Sequence, residues 1–211
     1  MPETVFVFGA SGHAKVVVDC LRRGGHRSLL LVDDDPGRTG ARVLGETVAG
    51  DRRTLQAAGD RVRRGIVAIG SNDARSAVAR WLEEAGFAFV AAVDPAAVVS
   101  EYARIESGSL VMPGAIINAD AVVGRHAIVN TAATVDHDCR VGDAVHLAPG
   151  VHLCGAVEVG ERSFIGAGSV VMPGVKIGRE VIVGAGSTVL ADLPDGCRAV
   201  GSPCRPIGAA R

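Results

Sequence analysis

The chain has 211 residues, with 22 Lys and Arg against 23 Asp and Glu, a net charge of −1 and an isoelectric point of about 6.6. That balance gives no chain-wide basic field and argues against nucleic acid as the main ligand, while an apolar share of 48% excludes a disordered chain. Twenty-eight glycines beside one Trp, one Tyr and five Phe require a core of small and β-branched side chains, packed thinly and repetitively.

The first predicted element is a short strand, Val5-Phe-Val-Phe8, which runs into the turn Gly9-Ala-Ser-Gly12-His13. A helix follows on Val16, Val17, Cys20 and Leu21, closed by Gly24-Gly25. Leu29-Leu-Leu-Val32 reads as a second buried strand, stopped by Asp33-Asp34-Asp35-Pro36, and Gly65-Ile-Val-Ala-Ile-Gly70 as a third. Ser71-Asn72-Asp73 caps a helix running through Leu82 and ended by Gly86, and Phe87-Ala-Phe-Val90 is a fourth strand. Strands that are apolar throughout and alternate with helices predict a small Rossmann-like α/β domain with a short parallel sheet over residues 1–94.

From Val93 onward the pattern changes. An aliphatic residue recurs every six positions, from Val99, Ile105 and Val111 through to Val183 and Val189, for 16 consecutive hits. The next residue is often Gly (Gly124, Gly142, Gly160, Gly166, Gly178, Gly184), and small or β-branched residues recur four places after the hit. A six-residue period predicts a parallel β-helix over residues 95–211, three hexads to a coil, with the aliphatics stacked inside and the small residues turning the corners.

The hexad array, Gly9-Ala-Ser-Gly12-His13 with Asp33-Asp34, and the set Asn130-Thr131, His137-Asp138, His146 and Cys154-Gly155 together resemble a known group. It is the sugar acetyltransferases with a left-handed β-helix, namely the sialic acid O-acetyltransferase (NeuD-like) group with its PglD-like N-acetyltransferases. The resemblance runs to Val200-Gly-Ser-Pro-Cys-Arg205. It implies a homotrimer that binds acetyl-CoA between neighbouring β-helices and acetylates a nucleotide-linked amino-sugar, and the cysteine pattern points to the cytoplasm.

His137 has the pKa range of a general base, and the resemblance gives the equivalent histidine that role. Either Asp138 or Asp136 could orient it, and Asp138 is one methylene shorter than the Glu of the resembled enzymes. The resemblance places His146 near the thioester. Gly155, one coil after His137, would let a ligand approach the backbone or offer an N–H to the thioester carbonyl. The resemblance further implies that Ala167, Gly168, Ala185, Gly186 and Gly201 line the CoA arm and that Arg205 meets a phosphate. In the first domain, Gly9, Ser11, Gly12 and His13 form a strand-to-helix turn suited to phosphate. The middle Gly of the dinucleotide fingerprint is Ser11, which disfavours NAD. Asp33 is placed for a ribose hydroxyl, Asp34 beside it is a further substrate-binding candidate, and Gly70, Ser71 and Asn72 flank the same crevice.

Nothing in these residues separates an amine acceptor from a hydroxyl, and a non-catalytic nucleotide-sugar binder is a further reading. The spacings among His126, His137, His146 and His152 do not fit a three-histidine zinc site, so no metal is expected. Cys20, Cys139, Cys154, Cys197 and Cys204 include no CxxC pair and read as reduced, mostly buried residues. No run of about 18 apolar residues suggests membrane insertion, and the stretch from Glu3 lacks the basic start and unbroken apolar middle of a secretory signal.

Overall fold

The structure, a computed structural model, describes residues 3–209. It contains two compact units, Met1–Pro95 and Ala96–Arg211.

In the first unit the strands β1 (Thr4–Phe8), β2 (Ser28–Val32), β3 (Arg64–Val67) and β4 (Ala88–Phe89) form one parallel sheet in the order β2-β1-β3-β4. The chain alternates these with the helices α1 (Gly12–Arg23), α2 (Arg52–Ala58) and α3 (Asn72–Glu84). Helix α1 buries Ala14, Val17, Val18, Cys20 and Leu21, so Val18 takes the inward place expected of Val16, which is exposed. Strand β3 ends at Val67, three residues before the expected Gly70, and α3 runs two residues past Leu82. Helix α2 and the hairpin of Arg42–Val43 with Glu46–Thr47 were not anticipated, because that stretch is polar and carries no clear period. The aromatic residues concentrate here: Phe6 meets Phe87 edge-on at 5.5 Å, and Phe8, Phe89 and Trp81 join the same core.

The second unit is a left-handed parallel β-helix. Sixteen two-residue strands run from Val98–Val99 to Thr188–Val189, and each up to Val170–Val171 pairs in parallel with the strand 18 residues on, as Ile128 and Val129 do with His146 and Leu147. They make five coils and one further side, and Cys197–Val200 continues the stack before turning back along Arg205–Ala209. The recurrent aliphatics are buried from Val111 to Val189, whereas Val99 and Ile105 at the open end are partly exposed. Buried serines tie successive coils: Ser163 Oγ donates to the Gly178 carbonyl and accepts from the Val181 N–H.

The corners differ from the expectation. The residue that turns the chain is the third after the aliphatic, not the first. It has a left-handed backbone whether it is Gly174 (φ 72°), Asp138 (φ 61°), His126 (φ 56°) or Arg162 (φ 57°). The glycines directly after the aliphatic answer a different constraint. A Cβ at Gly160 would lie 2.5 Å from the Gly178 backbone, and one at Gly142 would lie 2.8 Å from the Glu161 backbone, so they permit close stacking of coils.

Candidate active site

The turn after the strand Thr134–Val135 carries Asp136, His137 and Asp138. The left-handed backbone at Asp138, which Asp tolerates better than most residues, brings its Oδ2 to 2.8 Å from His137 Nδ1. The shorter side chain therefore makes the orienting contact. Asp136 plays a separate part, since its Oδ1 accepts the His137 backbone N–H at 2.7 Å and the Asn118 amide at 2.8 Å. With Nδ1–H donating to Asp138, Nε2 carries the lone pair. The hydrogen bond to Asp138, and then the charge of Asp136, raise the His137 pKa above its ordinary value. The Asn118 amide and the His137 N–H lower that of Asp136.

Gly155 sits one coil on, beneath the imidazole. A Cβ there would be 2.6 Å from both Cε1 and Nε2 of His137. The missing side chain makes the seat for the ring, so the space expected for a ligand at this glycine is occupied by His137. Among the described residues no backbone carbonyl takes the Gly155 N–H.

His146 lies on the strand His146–Leu147 and meets Phe164 edge-on at 5.2 Å. Asn130 Oδ1 accepts the Thr131 N–H at 2.8 Å, which turns its amide nitrogen toward His146 Nε2 at 3.1 Å. His146 Nε2 is thus the acceptor and Nδ1 carries the proton. Ala167, Gly168, Ala185 and Gly186 occupy the turns that follow this same sheet, and Gly201 follows the strand that extends it. Gly168 and Gly186 face open space. Arg205 is exposed, with Nη1 on the Cys204 carbonyl at 2.9 Å.

The residues expected to meet one cofactor therefore divide between two edges of the prism. His137, Asp138 and Gly155 follow the six-stranded sheet, whereas His146 lies on the eight-stranded one and Ala167, Gly168, Ala185, Gly186 and Gly201 follow it. One whole side of the prism, a hexad of chain, separates the edges. The third edge, which follows the five-stranded sheet, carries a surface groove lined by Arg140, Glu158 and Lys176 and none of the expected residues. Its charges are largely taken up locally: Glu158 pairs with Lys176 at 3.0 Å, and Asp195 caps the Arg179 N–H at 2.8 Å.

In the first unit the strand order reverses between β1 and β3, the place where open α/β sheets bind ligands. The loops after these strands touch. Gly9 (φ 109°) lies so close that a Cβ would be 2.9 Å from the Ala68 carbonyl oxygen. Asp33 Oδ2 accepts the Ala10 N–H at 2.6 Å and its Oδ1 the Asp35 N–H at 2.9 Å, while Arg38 donates to the Ala10 carbonyl at 3.1 Å. Asp34 forks onto Arg52, which lowers its pKa. Asp33 thus fastens the loop after β1, a role that its reading as a ribose ligand did not include, while Asp34 ties the end of β2 to α2. Ser11 caps α1 without a side-chain bond and, like Gly12, is exposed. His13, in the first turn of α1, is held to a pKa of about 4 by burial and by the charge of Arg75. Ser71 Oγ caps the Ala74 N–H at 3.4 Å, and Asn72 Oδ1 accepts from Arg75 at 2.8 Å. Asn118, Arg38, Arg52 and Arg75 were not singled out from the sequence. Only Asn118, one coil before Asp136, had a legible signal.

Among the described residues no group of three or more His, Cys, Asp or Glu could hold a metal ion. The cysteines are free, and burial pushes Cys20 up to about 12 and Cys139 to about 11, which keeps these thiols protonated. No described helix is long and apolar enough to cross a membrane.

Residues 4–82 match the PglD N-terminal domain, and residues 138–171 and 156–191 match the bacterial transferase hexapeptide (six repeats). Perosamine N-acetyltransferase (PerB) from Caulobacter crescentus, solved with CoA and GDP-perosamine, is 46% identical over 97% of each chain with a TM-score of 0.92. The acetyltransferase domain of PglB from Neisseria gonorrhoeae, solved also with acetyl coenzyme A, is 36% identical over 98% of this chain and 100% of that one, again at 0.92. WeeI from Acinetobacter baumannii is 27% identical over 97% of this chain and 100% of that one, at 0.88.

Proposed function

Because the chain belongs to the PglD-like family of acetyl-CoA-dependent sugar N-acetyltransferases, we propose that it acetylates the amine of a nucleotide-linked amino-sugar, with His137 as general base. The observation that carries this reading is the His137 assembly itself. Nδ1 is held by Asp138, the backbone by Asp136, and the ring by the bare backbone of Gly155, which leaves Nε2 as the free basic atom. The first unit holds the nucleotide at its strand-order reversal, and the β-helix holds acetyl-CoA. Both substrates are supplied in the cytoplasm, where the reaction runs.

The sugar nitrogen attacks the thioester carbonyl carbon and the C–N bond forms. Charge develops on the carbonyl oxygen, where the Gly155 N–H is a donor. Nε2 of His137 removes the proton from the nitrogen. The C–S bond then breaks, and the CoA thiolate leaves and takes the proton from the imidazolium. The products are the amide and CoA thiol, with no acyl-enzyme. Protonated buried thiols agree with direct transfer.

The division of the expected residues between two edges gives the assembly a part in this chemistry. One copy supplies His137, Asp138 and Gly155, and a neighbour supplies the edge with His146, Ala167, Gly168, Ala185, Gly186, Gly201 and Arg205. Repeated head-to-tail, that contact closes as a cyclic homotrimer.

Acetyl-CoA-dependent thiol release against GDP-, UDP- and dTDP-linked 4-amino-sugars, their hydroxyl counterparts and free sialic acid tests the acceptor. Turnover on one amino-sugar, with an amide product by mass spectrometry, is expected. Turnover confined to hydroxyl acceptors would replace amide formation with ester formation.

A further inference from the structure

Among the described residues Arg75 is the bulkiest fully buried side chain, 1% exposed. It occupies the inner face of α3 with Ala79 and Leu82, a position that packing alone would fill with an aliphatic residue. A guanidinium is costly to desolvate there unless its donors are used. They are used on one loop. Nη1 donates to the carbonyls of Ile69 and Gly70, both at 3.0 Å, and Nη2 donates to Asn72 Oδ1 at 2.8 Å. Those residues form the wall of the crevice that follows β3. The same wall lies against the other: a Cβ on Gly9 would be 3.0 Å from Ile69 Cγ1. One buried fork therefore shapes both walls at the place where the strand order reverses. Its charge is also felt at His13, where it adds to burial in keeping that imidazole neutral, so the cations at the crevice are Arg75 and Arg38, which donates to the Ala10 carbonyl, rather than His13.

We propose that Arg75 is a positioning residue for a nucleoside diphosphate: it fixes the Ile69–Asn72 wall and sets a permanent positive charge beneath the crevice where the phosphates dock. This rests on the first unit being the nucleotide-binding one. Neutral donors could tie the wall equally well, whereas an anionic ligand at the mouth of α1 benefits from a cation.

Calorimetric titration of the full-length protein with GDP, UDP and dTDP, and with the corresponding uncharged nucleosides, tests the proposal in wild type, Arg75→Gln and Arg75→Lys. The favoured diphosphate should bind about tenfold or more weakly to Arg75→Gln. The matching nucleoside should change much less, acetyl-CoA affinity should be unchanged, and Arg75→Lys should fall between. Equal weakening of nucleoside and diphosphate, or wild-type diphosphate affinity in a folded Arg75→Gln, overturns the proposal. If circular dichroism shows Arg75→Gln unfolded, Arg75→Lys decides on the same two affinities. A wild type that binds none of the three diphosphates overturns the nucleotide-binding reading, and this inference with it.

Discussion

His137 acts as the middle of a chain of contacts, with Asn118 holding Asp136, Asp136 holding the histidine backbone, Asp138 holding the ring and Gly155 seating it. Replacing His137 with Ala should lower kcat by roughly 10²- to 10⁴-fold with little change in either KM, the usual contribution of a general base. The base must be neutral to act, so kcat/KM should rise with pH through a pKa above the ordinary imidazole value, because both aspartates favour the imidazolium. Asp138→Asn removes the larger cause, so the acid limb of the profile should move to lower pH while kcat falls. A limb that stays in place would show that another group titrates. Gly155→Ala should cost activity comparably to His137→Ala, since its Cβ must displace the ring. His137, Asp138 and Gly155 were all legible in the sequence. The separate roles of the two aspartates were not, because they depend on which carboxylate a left-handed corner turns toward the ring.

At the scale of the element, the hexad fixes its inward aliphatics by period alone, and these were fully legible from Val99 to Val189. The turning position was not, because it accepts Asp, Ala, His, Arg and Glu as well as Gly, and composition there carries no consistent mark. A left-handed non-glycine residue costs about 1–2 kcal/mol, a cost the stacked coils tolerate at position after position. The two glycine classes should therefore behave differently on substitution. Gly160→Ala puts a Cβ 2.5 Å from the next coil's backbone, while Gly174→Ala meets nothing within 4 Å and bears only the backbone cost. Thermal unfolding should show a clearly larger drop in Tm for Gly160→Ala, and equal drops would show that coil spacing adjusts freely. In the first unit the strands and the outer helices followed from their apolar runs. The ties made by Asp33, Arg38 and Arg75 did not, since they join loops that only the strand order brings together.

For the whole molecule, the decisive feature is that the proposed site residues divide between two parts of the β-helix surface. Both sets of residues were legible in the sequence. That half a coil of chain, from His137 to His146, carries the second set to a different edge was not, because the edge a residue reaches depends on the coil's three-sided path. On the proposed function, one copy supplies the first set and a neighbouring copy the second. The most direct measurement is acetyl transfer by mixtures of two inactive variants, His137→Ala on one edge and Ala185→Trp on the other, co-expressed or refolded together. Random exchange into a cyclic trimer leaves both edges intact at about one contact in four, so the mixture should recover about a quarter of wild-type activity while each variant alone stays inactive. Mixed oligomers, verified by mass spectrometry, that remain as inactive as their parents would contradict a site shared between copies.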